Sequence, residues 1–297
     1  ADLSSLPSVS GNFETIIKTL PGVSTNNELS SQYSVRGGNF DENLTYVNDV
    51  EINRPILIRN GQQEGLSFIN GDLVTRAKFS AGGFEARYGD KLSSVLDAKY
   101  DRPDSNQLIV NSGFLGASVA LKKAQTNGFL LLGLRYKNNN SVLNTQDSKG
   151  NYRPNFGDAQ LLYQYNFSEK FNLNFLGSLN GGQFNLIPED RETLFGTLET
   201  QLRLKIAYNG QEIDDYRTVG GAVTATFSPK PNLVIKWINS YFNTHERERF
   251  DIEGKYFFDE LQTDFTKVGF KAISTNRGLG TYLNYARNSL NSQSMSS

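Results

Sequence analysis

The sequence contains no cysteine and only one histidine, His245, among its 297 residues. Without cysteine the chain can form neither a disulfide framework nor a thiolate metal site. A single histidine excludes histidine-cluster metal sites and most catalysis that relies on a histidine base. Proline is also scarce (8 residues), whereas glycine (27), phenylalanine (20) and tyrosine (14) are frequent. This composition indicates a fold with many strands and turns.

The chain has no excess of either charge, and it has no long apolar run. Its 30 basic residues nearly balance 31 acidic ones, which argues against nucleic acid as a partner. The longest apolar run, GFLLLGL at 128–134, is far shorter than the ~20 residues of a membrane helix. A membrane strand needs only ~9–11 alternating residues, so a membrane location remains open. The start, ADLSSLPSVS, does not have the features of a signal peptide, and we interpret the chain as a mature product or a piece of something longer.

Catalytic motifs are absent as well. The stretch SVRGGNFDENLTYVNDVEI, at 34–52, has the glycines of a nucleotide loop, but no lysine follows them. We interpret it as a strand–turn–strand in which Gly37 and Gly38 form the turn. No nucleophile with a base and no metal-ligand set occurs, so we predict neither an enzyme nor a cofactor. Acidic clusters at 188–193 and 212–215 offer calcium ligands without EF-hand spacing, and solvated loops are the favoured interpretation.

From Asn106 onward apolar and polar residues alternate. In LLYQYNF, for example, Leu161, Tyr163 and Phe167 share one face, and Gln164 lies on the other. A period of two with one apolar face predicts strands. We expect eight of them, at about 106–113, 116–124, 129–139, 157–168, 171–182, 216–228, 232–245 and 278–291.

The connections between these strands alternate in length. Short turns at 126–128, 168–170 and 228–232 are separated by long polar excursions at about 138–156, 183–215 and 244–278. Short turns on one side and long loops on the other are typical of an outer-membrane β-barrel. A soluble β-sandwich is the alternative, but long loops that all lie on one side disfavour it.

The first third of the chain resembles a known family. The stretch ETIIKTLPGVSTNNELSSQYSVRGGNFDENLTYVNDVEINRP and the later AKFSAGGFEARYGDKLSSVLDAKYDRP resemble the plug domain of TonB-dependent outer-membrane receptors, in the style of the Bacteroidota. One departure is Asn48-Asp49, where many relatives have Asp-Gly. The resemblance implies an α+β plug domain at 1–101, followed at 106–297 by part of an antiparallel transmembrane β-barrel.

About eight strands of roughly 22 would then be present. The family's TonB box is missing before Ala1, and the C-terminus NSLNSQSMSS lacks the usual terminal aromatic strand. We therefore expect the plug and first third of a longer receptor.

The family also implies a function and partners. We expect a receptor in the outer membrane of a Gram-negative bacterium that takes up a bulky nutrient, with the plug gating the barrel lumen. Its partners would be the lipid bilayer, the TonB complex, through a segment missing from this chain, and an outer-membrane lipoprotein. The alternative is a transport-inactive relative that serves as a structural subunit of an outer-membrane complex.

By the same resemblance, two groups of residues carry the function. Arg36, Glu85 and Arg87 are expected to contact the barrel wall from the plug, although Arg36 could instead satisfy buried carbonyls. The plug apices are expected to face the ligand, the alternative being packing or solvated loop positions. The apex residues are Asn39, Phe40, Asp41, Arg54, Ile56, Leu57, Arg59, Asn60, Gln62 and Gln63.

Overall fold

The computed structural model describes residues 13–25, 31–56, 66–138, 150–197, 201–261 and 274–297. Within these ranges a small N-terminal domain precedes one large antiparallel sheet, which we call the wall. None of the helices in the described ranges has the length and apolar content needed to cross a membrane.

The N-terminal domain begins with one short helix, α1 (Glu14–Lys18). Phe13 and Ile17, four residues apart, bury their side chains on the same side of the helix. The helix ends just before Pro21 and Gly22, and the φ of +80° at Gly22 is a conformation that glycine adopts without strain.

Two small sheets complete this domain. Strands β1 (Val23–Ser24) and β2 (Ser34–Val35) pair with each other. A second sheet has the order β4-β3-β6-β5 and contains one parallel pair, β3 with β6. Its strands are β3 (Asn43–Val47), β4 (Val50–Glu51), β5 (Arg76–Ala81) and β6 (Ser94–Lys99).

The predicted strand–turn–strand around Gly37 and Gly38 is present, with a turn closed by a 3.0 Å hydrogen bond from the Gly38 amide to the Val35 carbonyl, but its two strands do not pair with each other. Strand β2 pairs with β1, whereas β3 forms its hairpin with β4 through Asn48 and Asp49. Those two residues take the positive φ values, +51° and +67°, that a two-residue hairpin turn requires. Gly38 is needed for a different reason: a Cβ there would lie 1.8 Å from the Ser93 hydroxyl.

The wall confirms the predicted antiparallel sheet. All eight expected strands are present, in the order β16-β15-β14-β12-β11-β9-β8-β7, together with two short strands, β10 and β13. The strands are β7 (Gln107–Gly113), β8 (Gly116–Gln125), β9 (Gly128–Asn138), β10 (Gly150–Tyr152), β11 (Asn155–Ser168), β12 (Phe171–Pro188), β13 (Arg191–Gly196), β14 (Gln201–Lys230), β15 (Leu233–Leu261) and β16 (Ser274–Ser296). Within the described residues β7 and β16 are edges, and the barrel is not closed.

The outer face of the wall carries an apolar band near the short turns. In the register of β12, β14 and β15, the band runs from the level of Phe171 and Phe227 up to that of Leu179 and Val219. Those four side chains are exposed or partly exposed, as are Trp237 and others on this face. A height of about nine residues matches the ~9–11 residues with which a strand crosses a bilayer.

The long polar excursions are largely strand, not loop. Strand β14 has 30 residues and β15 has 29, so each is on the order of 100 Å long and extends well beyond the apolar band. The described parts of 183–215 and 244–278 thus extend the sheet away from the membrane. Their backbone N–H and C=O groups remain hydrogen-bonded to the neighbouring strands. These parts of the strands therefore stay in the sheet although they carry no lipid-facing apolar band.

The inner face of the wall and the N-terminal domain share one hydrophobic core. Phe68, Ile69 and Leu73 from the domain lie in the same buried cluster as wall residues such as Leu131 and Phe156. Phe68 and Phe242 pack edge to face with ring centroids 6.0 Å apart, a favoured geometry for aromatic pairs. The domain is therefore packed into the inner side of the wall, not merely tethered to it.

Candidate functional site: the plug–wall interface and its cavity

A cavity of about 360 Å³ opens between the N-terminal domain and the wall. The domain contributes Phe40, Asp41, Asn53, Arg54 and Ile56 among others to its lining. The wall contributes Thr218, Phe242, Thr244, Ser292 and Ser294. The lining is therefore mixed, with hydroxyl and amide groups beside a larger apolar surface that includes Phe40, Phe68 and Phe242.

Two loops of the domain bring its residues to this cavity. Asn39 begins a 3-10 turn, Phe40–Glu42, where its side-chain oxygen accepts a hydrogen bond of 2.9 Å from the Phe40 amide. The second loop follows β4 and carries Arg54, which forms an ion pair with Glu246 of β15. The Arg54 guanidinium also lies 6.0 Å from the ring centroid of Tyr216. Arg54 thus joins the domain to two wall strands at the edge of the cavity.

The inner face of the wall becomes acidic just beyond the cavity. Glu212 and Asp214 on β14 lie on the same face as Glu246 and Glu248 on β15, because Asp214 is opposite Glu248 and Tyr216 opposite Glu246. Asp214 is only 2% exposed. Its burial, followed by the negative charge of Glu212, raises the pKa of Asp214 to about 7. Burial likewise raises the pKa of Glu212 and of Tyr216.

This acidic surface is not a metal site on the geometry described. Among the residues that the structure describes, no group of three or more histidine or carboxylate side chains could hold a metal ion. The cluster at 212–215 lies within β14, so Asp215 faces outward while Asp214 faces inward. The cluster is therefore neither a solvated loop nor one set of convergent ligands.

One segment of the domain, Ser67–Asn70, is held to the wall through its backbone, and we call it the anchor segment. Arg135 of β9 donates to the carbonyls of Ser67 and Ile69, both at 2.8 Å. Gln160 of β11 donates to the Phe68 carbonyl between them. Three consecutive carbonyls are therefore satisfied by wall side chains.

A buried ion pair fixes the arginine that makes these contacts. Asp158 accepts from Arg135 Nε at 2.8 Å and from Nη2 at 2.7 Å, which is the bidentate geometry of a strong pair. The Asp158 side chain is 1% exposed and that of Arg135 12%. On the domain side, the Tyr100 hydroxyl donates to Gln160 at 3.1 Å and accepts from the Asn70 amide at 2.8 Å.

Two further polar contacts connect the domain to the wall. Asp72 accepts from Ser118 at 2.7 Å and from Asn111 at 3.0 Å. Asp49, in the β3–β4 turn, pairs with Lys236 at 2.7 Å and also with Lys99 of its own domain. Burial alone would raise the pKa of Asp49, but hydrogen bonds from Lys236 and Lys99 hold it below its ordinary value.

Two of the three residues expected to contact the wall, Glu85 and Arg87, have their described ion pairs inside the N-terminal domain. Glu85 pairs with Lys78 and, at 2.9 Å, with Arg87. Arg87 lies over the Tyr88 ring and 3.4 Å from Asp97.

Arg36 is exposed in a left-handed conformation, φ +51°, and its side chain covers Gly82. A role for these three residues at the wall stays a prediction.

The predicted apex residues divide into three sets. Phe40, Asp41, Arg54 and Ile56 line the cavity, whereas Asn39 caps the turn beside it. Leu57, Arg59, Asn60, Gln62 and Gln63 lie outside the described residues. Ligand binding by the whole set stays a prediction.

Sequence reasoning missed the wall's half of the site. Thr218 and Thr244 line the cavity, and Arg135 and Asp158 hold the anchor segment. The alternation along each strand shows which residues face inward, and this was a usable signal for the wall's half of the site. A charged residue that faces inward next to an apolar one requires a partner. The partners themselves are backbone carbonyls, which have no signature in the sequence.

An α+β domain packed against the inner face of an antiparallel sheet, whose outer face carries a bilayer-high apolar band, defines a plugged outer-membrane β-barrel. A family model described as the TonB-dependent receptor plug domain matches residues 4–94. Residues 4–94 therefore match the plug domain of TonB-dependent receptors, which are proteins of the outer membrane of Gram-negative bacteria. We call the N-terminal domain the plug from here on.

The chain is also similar to solved receptor structures. A mutant of the ferric enterobactin receptor PfeA from Pseudomonas aeruginosa has 13% identity and a TM-score of 0.42, with 86% of this chain and 46% of that one covered. The siderophore receptor PirA from Acinetobacter baumannii has 11% identity and a TM-score of 0.40, covering 88% and 53%.

The hemophore receptor HasR from Serratia marcescens, solved with HasA and heme, has 11% identity and a TM-score of 0.33, covering 96% and 58%. The chain spans about half the length of these receptors. No curated protein sequence matches it.

Proposed function

We propose that this chain is part of an outer-membrane transporter that takes up a bulky nutrient, with the plug gating the lumen. The observation that supports it is the cavity, because its lining combines plug apex residues and inner-face wall residues. A ligand held there touches both parts at once, so that binding and plug movement are coupled. About 360 Å³ accommodates one portion of a bulky ligand.

The plug match supports TonB as the energy-coupling partner. We further propose an outer-membrane lipoprotein as a second partner and a receptor of the Bacteroidota type. The protein works by binding and movement and carries out no enzymatic reaction.

Gating is tested by removing the plug from the receptor in cells. Deletion of residues 1–101 is expected to make cells sensitive to vancomycin, a large polar antibiotic that the intact outer membrane excludes. The matched control is the intact receptor at equal surface abundance. Continued exclusion of vancomycin by the deletion variant, with its barrel correctly inserted, would contradict gating by this plug.

Transport is tested by cross-linking the plug to the wall. The chain has no cysteine, so D72C/S118C introduces one unique thiol pair where the native side chains are 2.7 Å apart. Cells are grown on panels of ferric siderophores, haem, cobalamin and oligosaccharides as limiting nutrients. A short bifunctional thiol reagent should abolish receptor-dependent growth in the double variant only, as should loss of TonB.

Single-cysteine variants treated with the same reagent are the control. If growth on every nutrient is indifferent to the cross-link and to TonB, the structural-subunit alternative replaces transport.

A further inference from the structure

A basic cluster occupies the outer face of the wall immediately above the apolar band. Val219 and Asn243 form the last opposed pair at the top of the band, and Arg217 and His245 are the next outward-facing pair. Arg247 follows His245 on the same face. We call Arg217, His245 and Arg247 the basic cluster.

These three side chains are close neighbours. Opposed residues in an antiparallel pair have Cβ atoms about 4.5–5.5 Å apart. Arg247 Nε donates to His245 Nε2 at 2.9 Å, so one basic side chain is hydrogen-bonded to another. Arg217 and Arg247 are both exposed.

The nearest acid on this face does not neutralise the cluster. Asp215 is opposite Arg247, but its carboxylate accepts from Arg249 at 2.5 Å and from Gln183 at 2.8 Å. Within the described ranges, no carboxylate lies within ion-pair distance of Arg217 or Arg247. Because His245 Nε2 accepts the hydrogen bond from Arg247, the positive charge of the cluster lies on the two guanidinium groups, and an external anion between them would offset their repulsion.

The position of the cluster identifies the anion. Directly below it, Val219 and Tyr241 belong to the lipid-facing band and are partly exposed. A ligand that covers both surfaces has acyl chains beside the band and an anion at the head-group level. Two guanidinium groups match phosphate, which they bind in bidentate fashion, and the long hairpins place this level at the outer leaflet.

We propose that Arg217, His245 and Arg247 form a binding site for the phosphate of an outer-leaflet lipid. The lipid's acyl chains pack on the band at Val219 and Tyr241. The site lies on the outside of the barrel and is separate from the cavity and from transport. It positions the receptor against the outer leaflet and neutralises a charge cluster that the fold otherwise leaves uncompensated.

The test compares two double variants of the receptor extracted in detergent. R217Q/R247Q removes the cluster's charges, and K205Q/K255Q removes two lysines from the same strands and face, about 25–40 Å further from the membrane. Native mass spectrometry measures retention of lipid A and of its dephosphorylated form. At about 1 kcal/mol per basic residue near an anionic surface, R217Q/R247Q should bind lipid A about thirtyfold more weakly.

Wild type and K205Q/K255Q should retain lipid A equally and should not retain the dephosphorylated form. R217K/R247K keeps both charges but loses the planar guanidinium groups. It should retain lipid A at an intermediate level, which shows that these two positions tolerate substitution. Equal lipid A retention by wild type and R217Q/R247Q overturns the proposal. So does displacement of lipid A by millimolar inorganic phosphate, which would assign the site to the free ion.

Discussion

At the scale of single residues, the plug is attached to the wall by a few buried polar side chains. Asp158 contributes to this attachment through Arg135, which it orients toward the carbonyls of Ser67 and Ile69. Asp158→Asn should lower the free energy of unfolding by about 3 kcal/mol, since it leaves a buried guanidinium without its counter-charge. Urea unfolding in detergent measures this change.

The matched control is Asp101→Asn, which breaks the exposed Arg76–Asp101 pair. Exposed pairs contribute little, so the urea midpoint should stay unchanged. Equal destabilisation by the two variants would show that burial of the Arg135–Asp158 pair has no special importance.

A second residue, Asp214, should give the receptor a pH-dependent stability. Its pKa is about 7 in the folded chain and about 4 when unfolded. The folded state therefore holds a proton that the unfolded state has lost, and stability falls as pH rises from about 4 to 7. Asp214→Asn cannot ionise, so it should flatten this slope and melt at a higher temperature than wild type at pH 8.

Thermal melts at intervals between pH 5 and pH 8 measure the effect, with Asp215→Asn as the control. Asp215 lies one position away but faces outward and pairs with Arg249. Glu212, whose pKa is also raised by burial, remains near position 214 and keeps part of the slope. If the stability of Asp214→Asn depends on pH as steeply as that of wild type, the raised pKa of Asp214 is not the cause of the pH dependence.

At the scale of strands, the sequence was a good guide to where strands lie and a poor guide to how far they extend. The predicted bounds of β7, β8, β9 and β11 agree with the structure to within two residues. Strands β14 and β15 continue well past their predicted ends. Alternation with a period of two locates a strand. Beyond the membrane, loops and solvated strands are both polar, so the composition does not show where a strand ends.

The plug shows a different limit of sequence reasoning. Gly37 and Gly38 indicated a turn between two strands, yet those strands do not pair with each other, and the hairpin turn is Asn48-Asp49. Asp49 tolerates its φ of +67° and pairs with Lys236, Lys99 and Arg87. Those partners are distant in sequence, so no local pattern could reveal why a charged residue replaces the usual glycine.

The extent of the membrane band can be checked strand by strand with single cysteines in this cysteine-free chain. A membrane-impermeant maleimide applied to intact cells should label K205C and K255C, which lie far above the band. V223C and W237C lie within it and should remain unlabelled until the membrane is dissolved. Labelling of V223C in intact cells would mean that the band is not in contact with lipid.

At the scale of the whole molecule, plug and wall form one folding unit because they share a core. Phe68, Ile69 and Leu73 are almost fully buried, and wall residues such as Leu131, Phe156 and Leu162 belong to the same cluster. Without the wall, these side chains and the carbonyls of the anchor segment face water. A domain of about 100 residues has only a marginal stability of roughly 5–15 kcal/mol to lose.

We therefore expect residues 1–101, expressed alone, to show little cooperative unfolding. Each exposed core side chain forfeits about 1.5–3 kcal/mol of burial, so losing three removes most of that margin. Far-UV circular dichroism during urea titration measures cooperativity, and Phe242→Ala in the complete chain is the companion variant. It removes the edge-to-face partner of Phe68 and should loosen the plug within an intact wall, seen as faster proteolysis near the anchor segment.

A cooperative transition of the isolated plug at the same urea concentration as in the complete chain would show that the shared core is incidental. If instead the plug depends on the wall, any force that separates anchor segment from wall also lowers the plug's own stability. Opening of the lumen and partial unfolding of the plug would then be one event, because the same side chains stabilise both.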